Sequence, residues 1–435
     1  MRKILNLILA IGLIALTACS APAAIIRPES ESLPIQQSDK PREGAPSVAG
    51  GDLKTLVAGN SVFAVNLYQT LRPNPGNLFF SPYSISLALA MTYAGARGQT
   101  EAQMAEALQF KLAQAQLHPA FNALDQELAR RAELSGVEDK PQTGFRLNIA
   151  NTLWGQEGYV FLPEFLDLLS ENYGAGLRLL DFVENPDASR LTINDWVAQQ
   201  TEQKIKDLLQ PGSLNRDTRL VLTNAIYFNA PWRSSFEKAA TRPDSFFVLD
   251  GSTVTVPMMN QTKSFGYAAA KDYQAVELPY LGDEVSMLIL LPDAGHFQSF
   301  EQSLSADRLE IITRSLRTAE LSLTMPRFTF ESGFSLPETL KTMGMTDAFS
   351  PHSADFSAMD GSGSLYISDV IHKAFIDVHE EGTEAAAATA VIMELRSALP
   401  SKPLVVRIDR PFIVLIRDRG TGAILFLGRV TNPQS

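Results

Sequence analysis

The stretch from His379 to Pro400 gathers the residues whose types and spacing could do chemistry, and what it offers is a change of conformation rather than a reaction. By propensity Glu384 to Arg396 is a helix, because Ala, Glu, Met and Leu all favour one. Read with a period of two, Thr383, Ala385, Ala387, Thr389, Val391, Met393 and Leu395 share one small or apolar face, while Glu384 and Glu394 fall on the other. That is the pattern of a strand with one buried face. Yet the segment opens at Gly382, closes at Pro400 and lies between two stretches that themselves read as strands, so it is expected to be an exposed surface loop in the state first reached. A loop carrying a strand's pattern is a candidate for insertion into a sheet.

Little else in the chain proposes a reaction. There is no Gly-x-Ser-x-Gly elbow, no Walker loop and no His-Glu-x-x-His pair, so a catalytic reading has little to stand on. Five histidines and a single cysteine exclude a Cys/His zinc site and any internal disulfide, and no metal or cofactor is expected. The acidic pair Glu380 and Glu381, and Glu127 near Arg130, read as solvated charges. A net charge of -11, with no basic cluster longer than Arg130-Arg131, argues against a nucleic-acid partner.

The N-terminus reads as a processing signal. Arg2 and Lys3 precede an apolar run from Ile4 to Leu16, too short for a membrane span, which ends in Leu16-Thr17-Ala18-Cys19. That ending resembles the bacterial lipoprotein box, which implies residues 1–18 as a signal peptide and Cys19 as a lipidated first residue. The protein is then expected to be secreted and held to the cell envelope, periplasmic or outward-facing. Residues 19–52 are rich in Pro, Ser, Ala and charge without apolar period, and are expected to be a disordered tether.

The frame that must position the loop begins at Leu53. Leu53, Leu56, Val57, Phe63, Leu67 and Leu71 recur at helical spacing, closed by Pro73, and Ser81-Pro82 opens a second helix running to Gly95. Further helices fit 100–110, 119–134, 163–173, 188–200 and 300–316. Strands fit 146–153, 219–228, 253–258, 276–278, 285–291, 320–330, 374–378, 404–408, 412–417 and 424–430. With 45% hydrophobic residues, helices mostly first, strands mostly later and no linker between, the chain from 53 to 435 is expected to be one large α+β domain and a monomer.

Glu380-Glu381-Gly382-Thr383-Glu384-Ala385-Ala386-Ala387, followed by Ala388, resembles the proximal hinge of inhibitory serpins. The likeness extends from residue 53 to the end, through Asn77 to Ser86, Leu222 to Phe228, Val256 to Met259 and Phe426 to Pro433. The resemblance implies helices around a large, mainly antiparallel central sheet with smaller sheets, and a reactive loop at about 380–400. It implies a suicide mechanism, in which a protease cuts the loop, forms an acyl-enzyme and is trapped when the cut loop enters the sheet. Counting fifteen residues from Gly382 places the scissile bond at Arg396-Ser397, which suits a trypsin-like enzyme. A one-residue slip would offer Leu395 to chymotrypsin-like enzymes, and Met393 would suit elastase-like ones. Ser81, Ser84, Asn224 and His372 match the family's polar cluster beneath the centre of the sheet. Trp232, Arg327 and Glu380 match the site where the loop first enters. The rival within the family is a non-inhibitory carrier or chaperone, against which the small residues of this hinge argue.

Overall fold

The computed structural model describes residues 34–134, 145–383 and 402–434. Its frame is two sheets with helices packed around them. The main sheet has seven strands in the order β1-β4-β3-β5-β13-β12-β11. These are β1 (Ile35–Gln36), β3 (Arg146–Gln156), β4 (Leu177–Leu180), β5 (Leu220–Pro231), β11 (Phe328–Ser335), β12 (Asp369–His379) and β13 (Gly382–Thr383). The second sheet has nine: β2 (Leu78–Phe80), β6 (Arg242–Phe247), β7 (Thr253–Ala269), β8 (Tyr273–Pro279), β9 (Val285–Pro292), β10 (Arg317–Pro326), β14 (Leu404–Arg407), β15 (Phe412–Asp418) and β16 (Ile424–Val430). The second sheet is therefore not smaller than the main one. The main sheet is mixed, since β3–β4 and β5–β12 pair parallel while its other pairs are antiparallel.

The helices are α1 (Asp52–Leu71), α2 (Pro82–Tyr93), α3 (Gly98–Ala107), α4 (Gln114–Leu134), α5 (Pro163–Tyr173), α6 (Pro186–Gln200), α7 (Phe297–Gln302), α8 (Ala306–Ser315), α9 (Pro337–Thr342) and α10 (Ser357–Asp360). α2 is buried along its whole length and touches β3, β5 and β16. It is apolar on every side because protein surrounds it. Ser81 caps it by accepting from the Ser84 N–H at 3.1 Å, and Pro82 sits where a missing N–H is harmless.

Several elements run longer than the sequence reading, β7 to Ala269 instead of 258 and β12 over Asp369–His379 instead of 374–378, and three further differences change the architecture. The strand expected over 320–330 breaks at Arg327, leaving β10 in one sheet and β11 in the other, so Arg327 stands at the junction. The helix expected over 300–316 divides at Leu304 into α7 and α8, and Ser305 caps the second through the Arg308 N–H. The tether expected over residues 19–52 is not free in its described part. From Pro34 onward the chain lies against the domain: β1 pairs with β4, Arg42 bonds Asn122 and Asp125 of α4, and the Ser170 hydroxyl of α5 donates to the Lys40 carbonyl. Main-chain and charged contacts hold this strap, and neither has an apolar period to betray it.

Candidate functional site

The site is the seam between β5 and β12, which run parallel at the centre of the main sheet. They pair from Val221–Asp369 up to Tyr227–Phe375. Above that level β13 enters between them, antiparallel to both: Gly382 pairs with Pro231 and His379, and Thr383 with Ala230 and Val378. The hinge residues Gly382 and Thr383 are thus already strand. This corrects the expectation of a loop exposed from Gly382 onward, because Thr383 is 1% exposed and hydrogen-bonded to the buried Tyr280 hydroxyl at 2.7 Å.

The mouth of the seam is built on Trp232, at the end of β5. Its indole stacks on Tyr280 with ring centroids 4.6 Å apart, and its Nε1 donates to the His379 carbonyl at 2.9 Å. The backbone N–H groups of Trp232 and Phe236 donate to the carbonyls of Glu381 and Glu380 at 2.9 and 2.8 Å. These bonds fix the turn that carries the chain from β12 into β13. Glu380 is 3% exposed, which corrects its reading as a solvated charge. Its carboxylate accepts from the Thr241 hydroxyl at 2.7 Å and lies 3.7 Å from the half-exposed Arg327 guanidinium. Burial acts to raise the Glu380 pKa, but the Thr241 bond, a backbone N–H and the charges of Arg327 and His379 outweigh it and hold the group below the usual range. Glu381 is half-buried, its side chain 24% exposed, and pairs with Lys238 at 2.6 Å.

Lower down, at the closed part of the seam, Ser81, Ser84, Asn224 and His372 converge and none is accessible to solvent. The Ser81 N–H donates to His372 Nε2 at 3.2 Å, so the proton sits on Nδ1 and is given to Asn224 Oδ1. Asn224 Nδ2 in turn donates to the Ser84 hydroxyl and to Asn151 Oδ1, at 2.7 and 2.5 Å. Burial lowers the His372 pKa to about 3, keeping the ring neutral. One hydrogen bond, His372 to Asn224, therefore ties the side chains of β12 and β5 at this level.

Sequence reasoning missed Asn151, Thr241 and Tyr280. Asn151 lies outside the family motifs, although alternation along β3 sets it on the apolar face with Leu147, Ile149 and Leu153 and so marks it as an inward polar residue. Thr241 and Tyr280 lie outside every motif, and only the folded turn brings them to the hinge. Cys19, the hinge residues Glu384, Ala385, Ala386, Ala387 and Ala388, and the expected bond Arg396-Ser397 lie outside the described residues.

Comparison with known proteins agrees with this geometry. Residues 58–433 match the model of the serpin (serine protease inhibitor) family. The chain belongs to that family. It is 43% identical over 392 residues to the leukocyte elastase inhibitor of Bos taurus, covering 88% of this chain and all of the relative. Among solved structures it is similar to the thermophilic serpin Tengpin in the native state, with a TM-score of 0.78 at 29% identity over 90% of this chain and 97% of the other. It is also similar to human thyroxine-binding globulin, with a TM-score of 0.78 at 32% identity over 88% of this chain and 99% of that one.

Proposed function

We propose that this serpin is a suicide inhibitor of trypsin-like serine proteases, cut at Arg396-Ser397 and trapping the acyl-enzyme by drawing its loop into the β5–β12 seam. The observation that carries the reading is β13: the first two residues of the loop are paired on both sides in the seam mouth. Continuing that register one for one sets Ala385 beside Phe228 and Ile376, Val391 beside Leu222 and Val370, and Thr389 between Asn224 and His372. The inward residues are small or apolar wherever the seam is apolar, and the one hydroxyl beyond Thr383 falls at the one polar station. A random loop would not keep that match over the five alternate positions from Thr383 to Val391. From Gly382 to Arg396 the strand would extend roughly 50 Å, enough to run the length of the sheet.

A second reading of specificity rests on the bovine relative, which is named for elastase inhibition. With Leu395 or Met393 as the residue before the cut, the same mechanism would serve chymotrypsin-like or elastase-like targets. Incubation with trypsin separates the cases. The proposal expects an SDS-resistant complex and a released peptide beginning at Ser397, with both lost in Arg396→Ala. A peptide beginning anywhere but Ser397 would move the bond, and a cleaved chain without any complex would favour the carrier reading. The lipidated Cys19 and its envelope location belong to the same proposal. Intact-mass analysis of the protein from its native envelope should show an acylated chain beginning at Cys19, and an unmodified chain beginning elsewhere would refute it.

A further inference from the structure

The N-terminal segment and the loop join the main sheet at opposite ends. One row of paired residues crosses the sheet from Ile35 of β1 through Arg178 of β4, Trp154 of β3 and Val221 of β5 to Asp369 of β12. It is the last row in which β5 and β12 pair. Pro34, where the described chain begins, lies one residue beyond that row, its carbonyl accepting from the Leu179 N–H at 2.9 Å. The seam mouth, where Gly382 pairs with Pro231, is ten residues the other way along β5, about 33 Å. The far root of the loop belongs to the mouth end too. Arg407, at the end of β14, pairs with Asp244 at 2.8 Å, three residues from the Thr241 that holds Glu380.

Insertion would carry the bait from one end of the sheet to the other. In the β13 register Ile392 falls in the row of Ile35 and Val221, and Arg396 comes four residues beyond it, about 13 Å past the row on the side of Pro34. In the order β1-β4-β3-β5-β13 the inserted strand stands four strand spacings from β1, about 19 Å. A protease domain of about 200 residues is roughly 40 Å across. Esterified through its serine to the Arg396 carbonyl, such a body reaches sideways over the place where the N-terminal segment joins the domain.

We propose that a membrane anchor at Cys19 and the trapped protease contend for the same pole of the domain, so that attachment opposes the last part of insertion. The proposal rests on the insertion and anchor readings above. The fifteen residues from Cys19 to Leu33 reach about 50 Å at full stretch, whereas a coil of that length spans about 20 Å on average. The protease is about twice as thick as that gap. Admitting it requires a stretched tether or a tilted domain, and either slows insertion while leaving the competing hydrolysis of the acyl-enzyme untouched. The first attack is spared, because the seam mouth and both roots of the loop lie at the opposite pole. A membrane-held inhibitor is therefore cut as fast as a free one but traps less often, and the length of the tether sets the ratio.

Cys19 is the only cysteine in the chain, so a maleimide phospholipid fixes the protein to a phosphatidylcholine vesicle at that residue alone. The same protein capped with N-ethylmaleimide stays in solution. Each is mixed with trypsin, and the rate of loop cutting is read together with the ratio of SDS-resistant complex to cleaved chain. The expected result is an equal cutting rate in both and, on the vesicle, a ratio lower by on the order of threefold to tenfold. A thirty-residue Gly/Ser stretch inserted after Ala24 raises the average span to about 35 Å, and should restore the ratio on the vesicle without changing it in solution. Equal ratios on the vesicle and in solution overturn the shared pole, as does a fall that the longer tether fails to reverse. Slower cutting with an unchanged ratio overturns it as well, since the mouth would then face the membrane. If the capped protein forms no complex and gains no melting temperature on cutting, the insertion reading fails and this proposal with it. The coupling supplies the anchor here, so a native chain found without lipid by intact mass refutes the anchor reading separately.

Discussion

His372 and Asn224 show how much one hydrogen bond can decide. Their bond is the side-chain tie across the lower seam, and neither partner has water to fall back on, so anything that parts the strands must satisfy both. Thr389 is the residue that the β13 register delivers to that point, and its hydroxyl can donate to Asn224 Oδ1 while accepting from His372 Nδ1. Thr389→Val keeps the shape and removes the replacement. The uncut protein should melt as before, while the gain in stability on cutting should shrink by about 1–3 kcal/mol, the cost of leaving buried partners unsatisfied. Differential scanning calorimetry of cut and uncut forms measures both numbers. An unchanged gain would mean that Thr389 does not reach the polar station. The same residues mark what the sequence could and could not reveal. Ser81, Ser84, Asn224 and His372 were legible through the family motifs, but Asn151, which completes their bonding, lies outside those motifs, and its signal was its place on the apolar face of β3 with Ile149 and Leu153.

Among the elements, the strap from Pro34 to Val48 is the one whose composition most misleads. Its Pro, Ser and charge content is that of a free tether, yet Arg42 reaches Asn122 and Asp125 at 2.8 and 2.7 Å and Asn122 donates to the Glu43 carbonyl at 2.8 Å. Asp125 also accepts from the buried Tyr83 of α2, so the strap joins the outer helix to the core helix through one carboxylate. Arg42→Ala should cost roughly 1 kcal/mol, the low end for a charged bond because both partners keep some solvent access. For a domain of this size that lowers the melting temperature by roughly 1–3 °C. The variant should also be nicked faster within 34–48 by a broad-specificity protease. Nicking there at the rate of a free peptide already in the unsubstituted protein would show that the strap does not hold. The long elements were readable because apolar periodicity reports burial: α1, α5, β15 and β16 fall within a residue or two of their expected ranges. The short strands β1, β4 and β13 were not, because two to four residues carry no period and their pairing depends on distant partners.

At the scale of the molecule, two histidines make stability depend on pH in a readable way. Burial lowers the pKa of both His118 and His372 to about 3, against about 6.5 in an unfolded chain. Between those values the unfolded state binds protons that the native state refuses. Their contribution is therefore complete above about pH 6.5 and falls as the pH drops towards 3. From pH 7.5 to 5.5, before most carboxylates titrate, the two together should remove about 2–3 kcal/mol. Urea midpoints across that interval check the figure, and a flat profile would mean that these rings are not held neutral.

The central claim concerns the whole fold, since it says that the uncut molecule has a place reserved in its main sheet. Cutting the loop would free thirteen residues, from Glu384 to Arg396, to continue the strand that Gly382 and Thr383 begin as β13. Val391 and Met393 would then leave water, each worth about 1.5–3 kcal/mol when fully buried, and a full ladder of backbone bonds would form beside β5 and β12. The decisive measurement is the melting temperature of the protein before and after a single cut at Arg396-Ser397. Insertion into the β5–β12 seam predicts that the cut form melts well above the intact one; a cut form melting at or below it would contradict the account.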